Sequence, residues 1–109
     1  MGKKTFNKLF LDAVDDALSS LGDSAKQSIY FHLESKFKIS RNEIPCHFQD
    51  FAAGLEKIFG VGARFLEILI MKKLYEKTGK PIEWNDSKEF VFSHYLAVAK
   101  QSYSQNDGA

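Results

Sequence analysis

Ile58-Phe59-Gly60-Val61-Gly62-Ala63-Arg64-Phe65-Leu66-Glu67-Ile68-Leu69-Ile70-Met71-Lys72-Lys73-Leu74-Tyr75 is the most apolar stretch of the chain, and its reading decides the fold. Between Phe65 and Met71 only Glu67 is polar. At helical spacing those apolar side chains point in nearly every direction, which predicts a helix surrounded by protein over this half. From Lys72 onward polarity gathers on one side: Lys72, Lys73, Glu76 and Lys77 make a wet face, and Leu74 and Tyr75 extend the dry one. The expected fold is all-α, a compact bundle of about five helices around a central hydrophobic helix spanning about 61–78, with Phe65, Leu66, Leu69 and Ile70 among the most buried residues.

Upstream, Phe6, Leu9, Phe10, Ala13, Val14, Ala17, Leu18 and Leu21 recur at helical spacing and predict a first helix from about Thr5 to Leu21. Gly22 follows as its C-terminal glycine. Ser24 and Gln27 have capping-box spacing and open a second helix with Ile29, Tyr30, Leu33 and Phe37 on its dry face, ending near Lys38. Ser40 and Glu43 repeat the capping-box spacing, but Pro45 follows too soon for a long helix. The expectation is a short turn over Ser40 to Ile44 and a third main helix from Pro45 to Phe59, closed by Gly60. Gly79 stops the central helix. Gly-Lys-Pro-Ile-Glu-Trp-Asn, ending at Asn85, is the one clear break, and Asp86 with Glu89 opens a last helix with Phe92, Leu96, Ala99 and Tyr103 on one face. Nothing in the body alternates as a strand should. The chain reads as one domain over 1–109, frayed at 1–4 and 104–109.

Composition narrows the function classes. With 15 basic and 14 acidic residues the net charge is +1, so no overall field draws the chain to DNA, RNA or anionic lipid. One cysteine, Cys46, excludes an internal disulfide and fits a reducing, cytoplasmic setting. No signal peptide is expected ahead of the first helix, and no apolar run is long enough to span a membrane.

The chemistry-bearing residues do not assemble into a known motif. His32, His47 and His94 sit one per segment, and no pair has the spacing that aims two imidazoles from one helix face at zinc. Cys46 and His47 are adjacent and diverge by about 100° on a helix. No metal or other cofactor is expected. Gly60-Val61-Gly62-Ala63-Arg64 places backbone N–H groups and a cation at a helix start, where anions bind. It lacks the preceding strand and third glycine of a dinucleotide site, and the Gly-Lys-Ser/Thr of a Walker loop. The steric reading is preferred: Gly60 reverses the chain, and small Gly62 and Ala63 let two helices approach. Asp12, Asp15 and Asp16 read as a solvated face, and Glu67 as an i, i+3 partner of Arg64 at the bundle edge. No nucleophile signature is present, so no catalytic residue is assigned and the chain is not read as an enzyme.

Leu21-Gly22-Asp23-Ser24, Tyr30-Phe31-His32-Leu33-Glu34, Ile44-Pro45 and above all Leu55-Glu56-Lys57-Ile58-Phe59-Gly60-Val61-Gly62-Ala63 resemble a small helical archaeal family, the Nitrosopumilus output domain. The resemblance covers about Leu9 to Gly79, and its most specific part is the Ile-Phe-Gly-Val-Gly-Ala corner. It implies an output or signalling module of the archaeal cytosol, with no established reaction and no catalytic residues. The leading expectation is therefore a non-enzymatic module that binds a protein partner or a second copy of itself. Ten phenylalanines are a large aromatic load for 109 residues, and Phe31, Arg64 and Phe90 are the expected partner-binding residues. The alternatives are a nucleic-acid-binding regulator using Arg64, Lys72, Lys73 and Lys77, which the near-neutral charge disfavours, and a bundle holding a small apolar ligand.

Overall fold

Thr5 begins the ordered chain by capping its first helix: its side-chain oxygen accepts the N–H of Lys8 at 3.2 Å. The computed structural model describes residues 5–79 and 92–108. In order these form α1 (Phe6–Ser19), α2 (Asp23–Phe37), a 3₁₀ segment (Arg41–His47), α3 (Phe48–Phe59), a 3₁₀ turn (Gly60–Gly62), α4 (Ala63–Thr78) and α5 (Phe92–Gly108). The fold is all-α, and no strand occurs among the described residues. The break before Asn85, the Asp86–Glu89 capping box and Phe90 lie outside the described residues.

The most extensive helix pairing is α1 against α4. Of α1, Leu9, Phe10, Leu11, Ala13, Val14, Ala17 and Leu18 are buried. Of α4, Ala63, Leu66, Glu67, Ile70, Met71, Leu74 and Tyr75 are buried. The centre is thus shared by two helices, where the sequence suggested one. Rings extend this core sideways. Phe10 of α1 meets Phe51 edge-on at 6.3 Å and Phe48 at 5.8 Å, and Phe48 meets Phe92 of α5 at 4.7 Å. Deeper along α5, Tyr95 and Ala99 are buried, and the Tyr75 hydroxyl donates to the Tyr95 carbonyl at 2.9 Å.

The burial of α4 corrects two expectations. Phe65 is 80 % exposed and Leu69 is only half-buried. The physical reason is phase. The buried positions 63, 66, 67, 70, 71, 74 and 75 follow one another at alternating steps of three and one, a single straight stripe. In the C-terminal half Lys72, Lys73, Glu76 and Lys77 dictate which side faces water, and a helix turns as one body. Carried back two turns, that phase puts Glu67 inside and Phe65 outside.

Helix ends differ from expectation in three places. Gly22, at φ +102°, does not cap α1, which closes at Ser20; it serves as the residue before α2, and the Ser24–Gln27 capping box does not form. The Ser40–Glu43 box does form, with the Ser40 N–H and hydroxyl both donating to Glu43 Oε1 at 3.2 and 2.8 Å. It opens a 3₁₀ segment that holds Pro45, and α3 starts at Phe48, not Pro45. Proline has no N–H for a helical ladder, and the tighter turn keeps Ile44 fully buried. Finally, α5 continues to Gly108, past Tyr103.

Gly60 reverses the chain at φ +61° and Gly79 caps α4 at φ +80°, both as expected from glycine at these stops. Gly62 does not provide the close approach expected of it. A Cβ there meets only the Phe59 Cβ at 3.9 Å, and its φ of −68° suits any residue. The close approach is at Gly54, buried on α3, where a Cβ comes within 2.8 Å of Leu33 Cδ2 on α2. Leu33 is itself fully buried, so it has little room to yield. Gly54→Leu is therefore expected to destabilise by about 1–3 kcal/mol through overpacking. Gly62→Ala is expected to stabilise by about 0.5 kcal/mol through reduced unfolded-state freedom. Urea midpoints of the two variants check this, and equal midpoints would place the close approach elsewhere.

Candidate interaction surface

The corner between α3 and α4 presents apolar side chains to water. Gly60 turns the chain, the 3₁₀ turn carries Val61 outward at 96 % exposure, and one turn later Phe65 stands at 80 % exposure. Phe65 lies opposite the buried stripe of α4, since at about 100° per residue it stands about 100° from Leu66 on one side and about 160° from Glu67 on the other. Ile68 and Leu69 flank it half-buried, and Arg64 is exposed beside it. Farther along the same outward face Lys72 and Glu76 are exposed, so the face changes from apolar to charged at its middle. Isolated exposed apolar residues are ordinary, but two large ones on consecutive turns with half-buried neighbours form a patch.

The other sequence-derived candidates disperse. Phe31 is 67 % exposed on α2, and its ring lies 5.9 Å from that of His32. Helices α2 and α4 do not pack extensively on each other, so Phe31 and Arg64 are not brought together by a shared helix pair. Ala63 is buried at the foot of α4, while Gly60 and Gly62 line the turn above it. Among the described residues no three of His, Cys, Asp and Glu gather as a ligand set, and Cys46 is an exposed free thiol.

The three aspartates of α1 have different partners. Asp12 pairs with Lys8 at 3.3 Å on its own helix, and Asp16 with Lys77 at the end of α4 at 2.7 Å. Asp15 is the hub. Its Oδ1 accepts from Arg41 Nε at 3.0 Å and from the Tyr30 hydroxyl, and its Oδ2 accepts from Arg41 Nη2. Lys26 Nζ stands 3.9 Å from Oδ1. Burial by itself raises the Asp15 pKa, but the hydrogen bonds from Arg41 and Tyr30 and the charges of Arg41 and Lys26 outweigh it and hold the carboxyl below its ordinary value. Burial and the bond to Asp15 push the Tyr30 hydroxyl well up, so it stays a donor. The expected solvated face is instead the polar lock between α1, α2 and the Arg41–His47 segment. No local signal reveals it, because Asp15 and Arg41 are 26 positions apart.

Glu67 is also corrected. It is buried within the α4 stripe, and Arg64 acts on it only as a charge, not as a hydrogen-bond donor. The signal that finds it is the backward extension of the Ile70, Met71, Leu74 and Tyr75 stripe.

No family model, curated protein or solved structure matches this chain. No helix among the described residues is long and apolar enough to cross a membrane.

The lock around Asp15 makes a pH-dependent prediction. Its folded pKa lies below the unfolded one, so its contribution is present above the unfolded value of 3.8 and is lost as pH falls through the folded value. Asp15→Asn is expected to destabilise by about 1–3 kcal/mol at pH 7, since it weakens a bidentate charged pair and one hydroxyl bond. The difference from the unmodified chain should shrink below the unfolded value. Denaturant titration at neutral and acid pH measures both, and a deficit independent of pH would contradict the charged lock.

Proposed function

We propose that this chain is a non-enzymatic helical interaction module that binds protein through the Gly60–Gly62 turn and the outward face of α4, at Val61 and Phe65. One observation carries the reading: Val61 in the Gly60–Gly62 turn and Phe65 one turn later stand in water, Phe65 on the side of α4 opposite its buried stripe. Arg64 beside them supplies a cation of the kind enriched at interfaces. The partner is a protein, a second copy of the chain being the simplest case. The resemblance of the Leu55–Ala63 corner to the Nitrosopumilus output domain supports a place in archaeal cytosolic signalling, and the single cysteine is consistent with it. The nucleic-acid reading is weakened by Lys77, which is engaged by Asp16 at 2.7 Å and so is not free for phosphate.

Light scattering over the micromolar range tests self-association, and a dimer of this kind would bury at least about 1,000 Å² in total. Phe65→Asp should abolish association, and because the side chain is already exposed it should change stability by no more than about 0.5 kcal/mol. If the unmodified chain stays monomeric, the tagged chain should capture a partner that the Phe65→Asp chain loses. Equal capture by both chains would remove the α4 face from the reading.

A further inference from the structure

Two large rings stand in water among the described residues, Phe65 on α4 at 80 % exposure and Phe31 on α2 at 67 %. Each is set away from what its helix buries. Phe31 is two residues from both Ile29 and Leu33, the buried pair of α2, and so about 160° from each. The two helices pack on α1 and α3, not extensively on each other, so one chain carries two separate faces. We propose that the chain assembles head to tail with copies of itself, the α4 face of one copy seating antiparallel on the α2 face of the next, Phe65 against Phe31. That contact rests on the protein-binding α4 face proposed for this chain and names the surface it receives.

The two faces differ in charge. On α4, Lys72 falls within about 20° of Phe65, two turns on, with Arg64 and Lys73 at the flanks. Lys72 and Lys73 enter no ion pair with another described residue. On α2, exposed Asp23, Gln27 and Glu34 line the same side as Phe31. The nearby cations are withdrawn from it. Lys26 Nζ donates to the Ser19 hydroxyl at 3.1 Å and stands 3.9 Å from Asp15, Lys38 Nζ donates to the Ser35 carbonyl at 3.2 Å, and Lys36 lies about 140° round the helix from Phe31. The charges also choose the direction. With Phe65 over Phe31 and the helices antiparallel, Lys72 comes opposite Asp23 of the next copy, and Glu34 of that copy comes opposite the Val61–Arg64 turn. Glu76 then falls just beyond the N-terminus of that α2, the end of a helix that favours an acid. Parallel helices would set Lys72 against Lys38. A two-fold pairing of α4 on α4 would crowd Arg64, Lys72 and Lys73 of both copies into one interface and leave Phe31 in water. A contact between unlike faces is heterologous, so each copy can give one face and receive on the other.

Light scattering on the full chain, from micromolar to millimolar concentration, tests this with Phe31→Asp, Phe65→Asp and an equimolar mixture of the two. The mass of the unmodified chain should rise above that of one copy. Each variant alone should stay at one copy while keeping the urea midpoint of the unmodified chain, since both side chains are already exposed. The mixture should associate again and stop at two copies, because the intact α4 face of Phe31→Asp fits the intact α2 face of Phe65→Asp. Lys72→Glu and Asp23→Lys should each weaken association several-fold, and mixing them should restore it. A Phe65→Asp chain that still associates would remove the α4 face itself. A Phe31→Asp chain that associates like the unmodified one, or a Phe31→Asp and Phe65→Asp mixture that stays at one copy, would overturn the head-to-tail contact alone. So would an unmodified chain that remains single at millimolar concentration while capturing another protein through Phe65. Charge variants that do not restore each other would overturn the antiparallel register.

Discussion

The seam between α1 and α4 is the constraint from which the rest of the bundle follows. Ala13, Val14, Ala17 and Leu18 of α1 and Ile70, Met71 and Leu74 of α4 have no exposed surface at all. Alanine at 13, 17 and 63 lets the two backbones come close, and the branched and long side chains fill what remains at the density of a protein interior. A seam built from small and aliphatic residues leaves no room there for rings. The aromatic residues are accordingly displaced to its flank, where Phe51, Phe10, Phe48 and Phe92 run as a chain of contacts from α3 to α1, back to α3 and on to α5. The positions of α3 and α5 are thus consequences of what the seam excludes.

The outward face of α1 does a second job with the same helix. Asp15 ties it to α2 and to the Arg41–His47 segment, and Asp16 ties it to the end of α4. These pairs are partly exposed, so their value lies less in raw stability than in fixing which elements meet which turn of α1. A bidentate guanidinium accepts only a narrow set of approaches to a carboxylate, and the Tyr30 hydroxyl restricts it further. An apolar seam alone tolerates rotation and sliding of the helices around it. The polar lock selects one arrangement.

How much of this was legible depended on the range of the interaction. Gly60, Gly79 and the Ser40–Glu43 box act within a few residues, and each was readable where it stands. The α1 stripe was readable because Asp12, Asp15 and Asp16 mark its wet side. The failures share a cause. Gly22 precedes a helix as readily as it follows one, and only the neighbouring backbone decides. Gly54, not Gly62, meets another helix, and that depends on Leu33, 21 positions away in the chain (54 − 33). The Asp15 lock spans a similar distance. For α4 the difficulty was different. Apolar residues all round its first turns erase the phase locally, although the charged residues after Met71 preserve it.

That phase gives the exchange of Phe65 and Glu67 its meaning. Rotating α4 to bury Phe65 and free Glu67 would expose Leu66, Ile70, Met71 and Leu74, which are at most 5 % exposed where they are. At about 25 cal/mol per Å² of apolar surface, each such side chain is worth about 1.5–3 kcal/mol, so four outweigh one phenylalanine and one carboxylate. The helix is therefore held in an orientation that two of its own residues oppose. Serine or lysine at 65 and leucine at 67 would agree with the fold at every level, and a chain selected for folding alone has no reason to avoid them. Departures of this kind, a large ring in water and an acidic residue on the buried side within one turn of the same helix, lower stability without helping the seam. They are the places in this molecule where a requirement other than folding is most economically sought, and both lie on the half of α4 that follows the Gly60 corner.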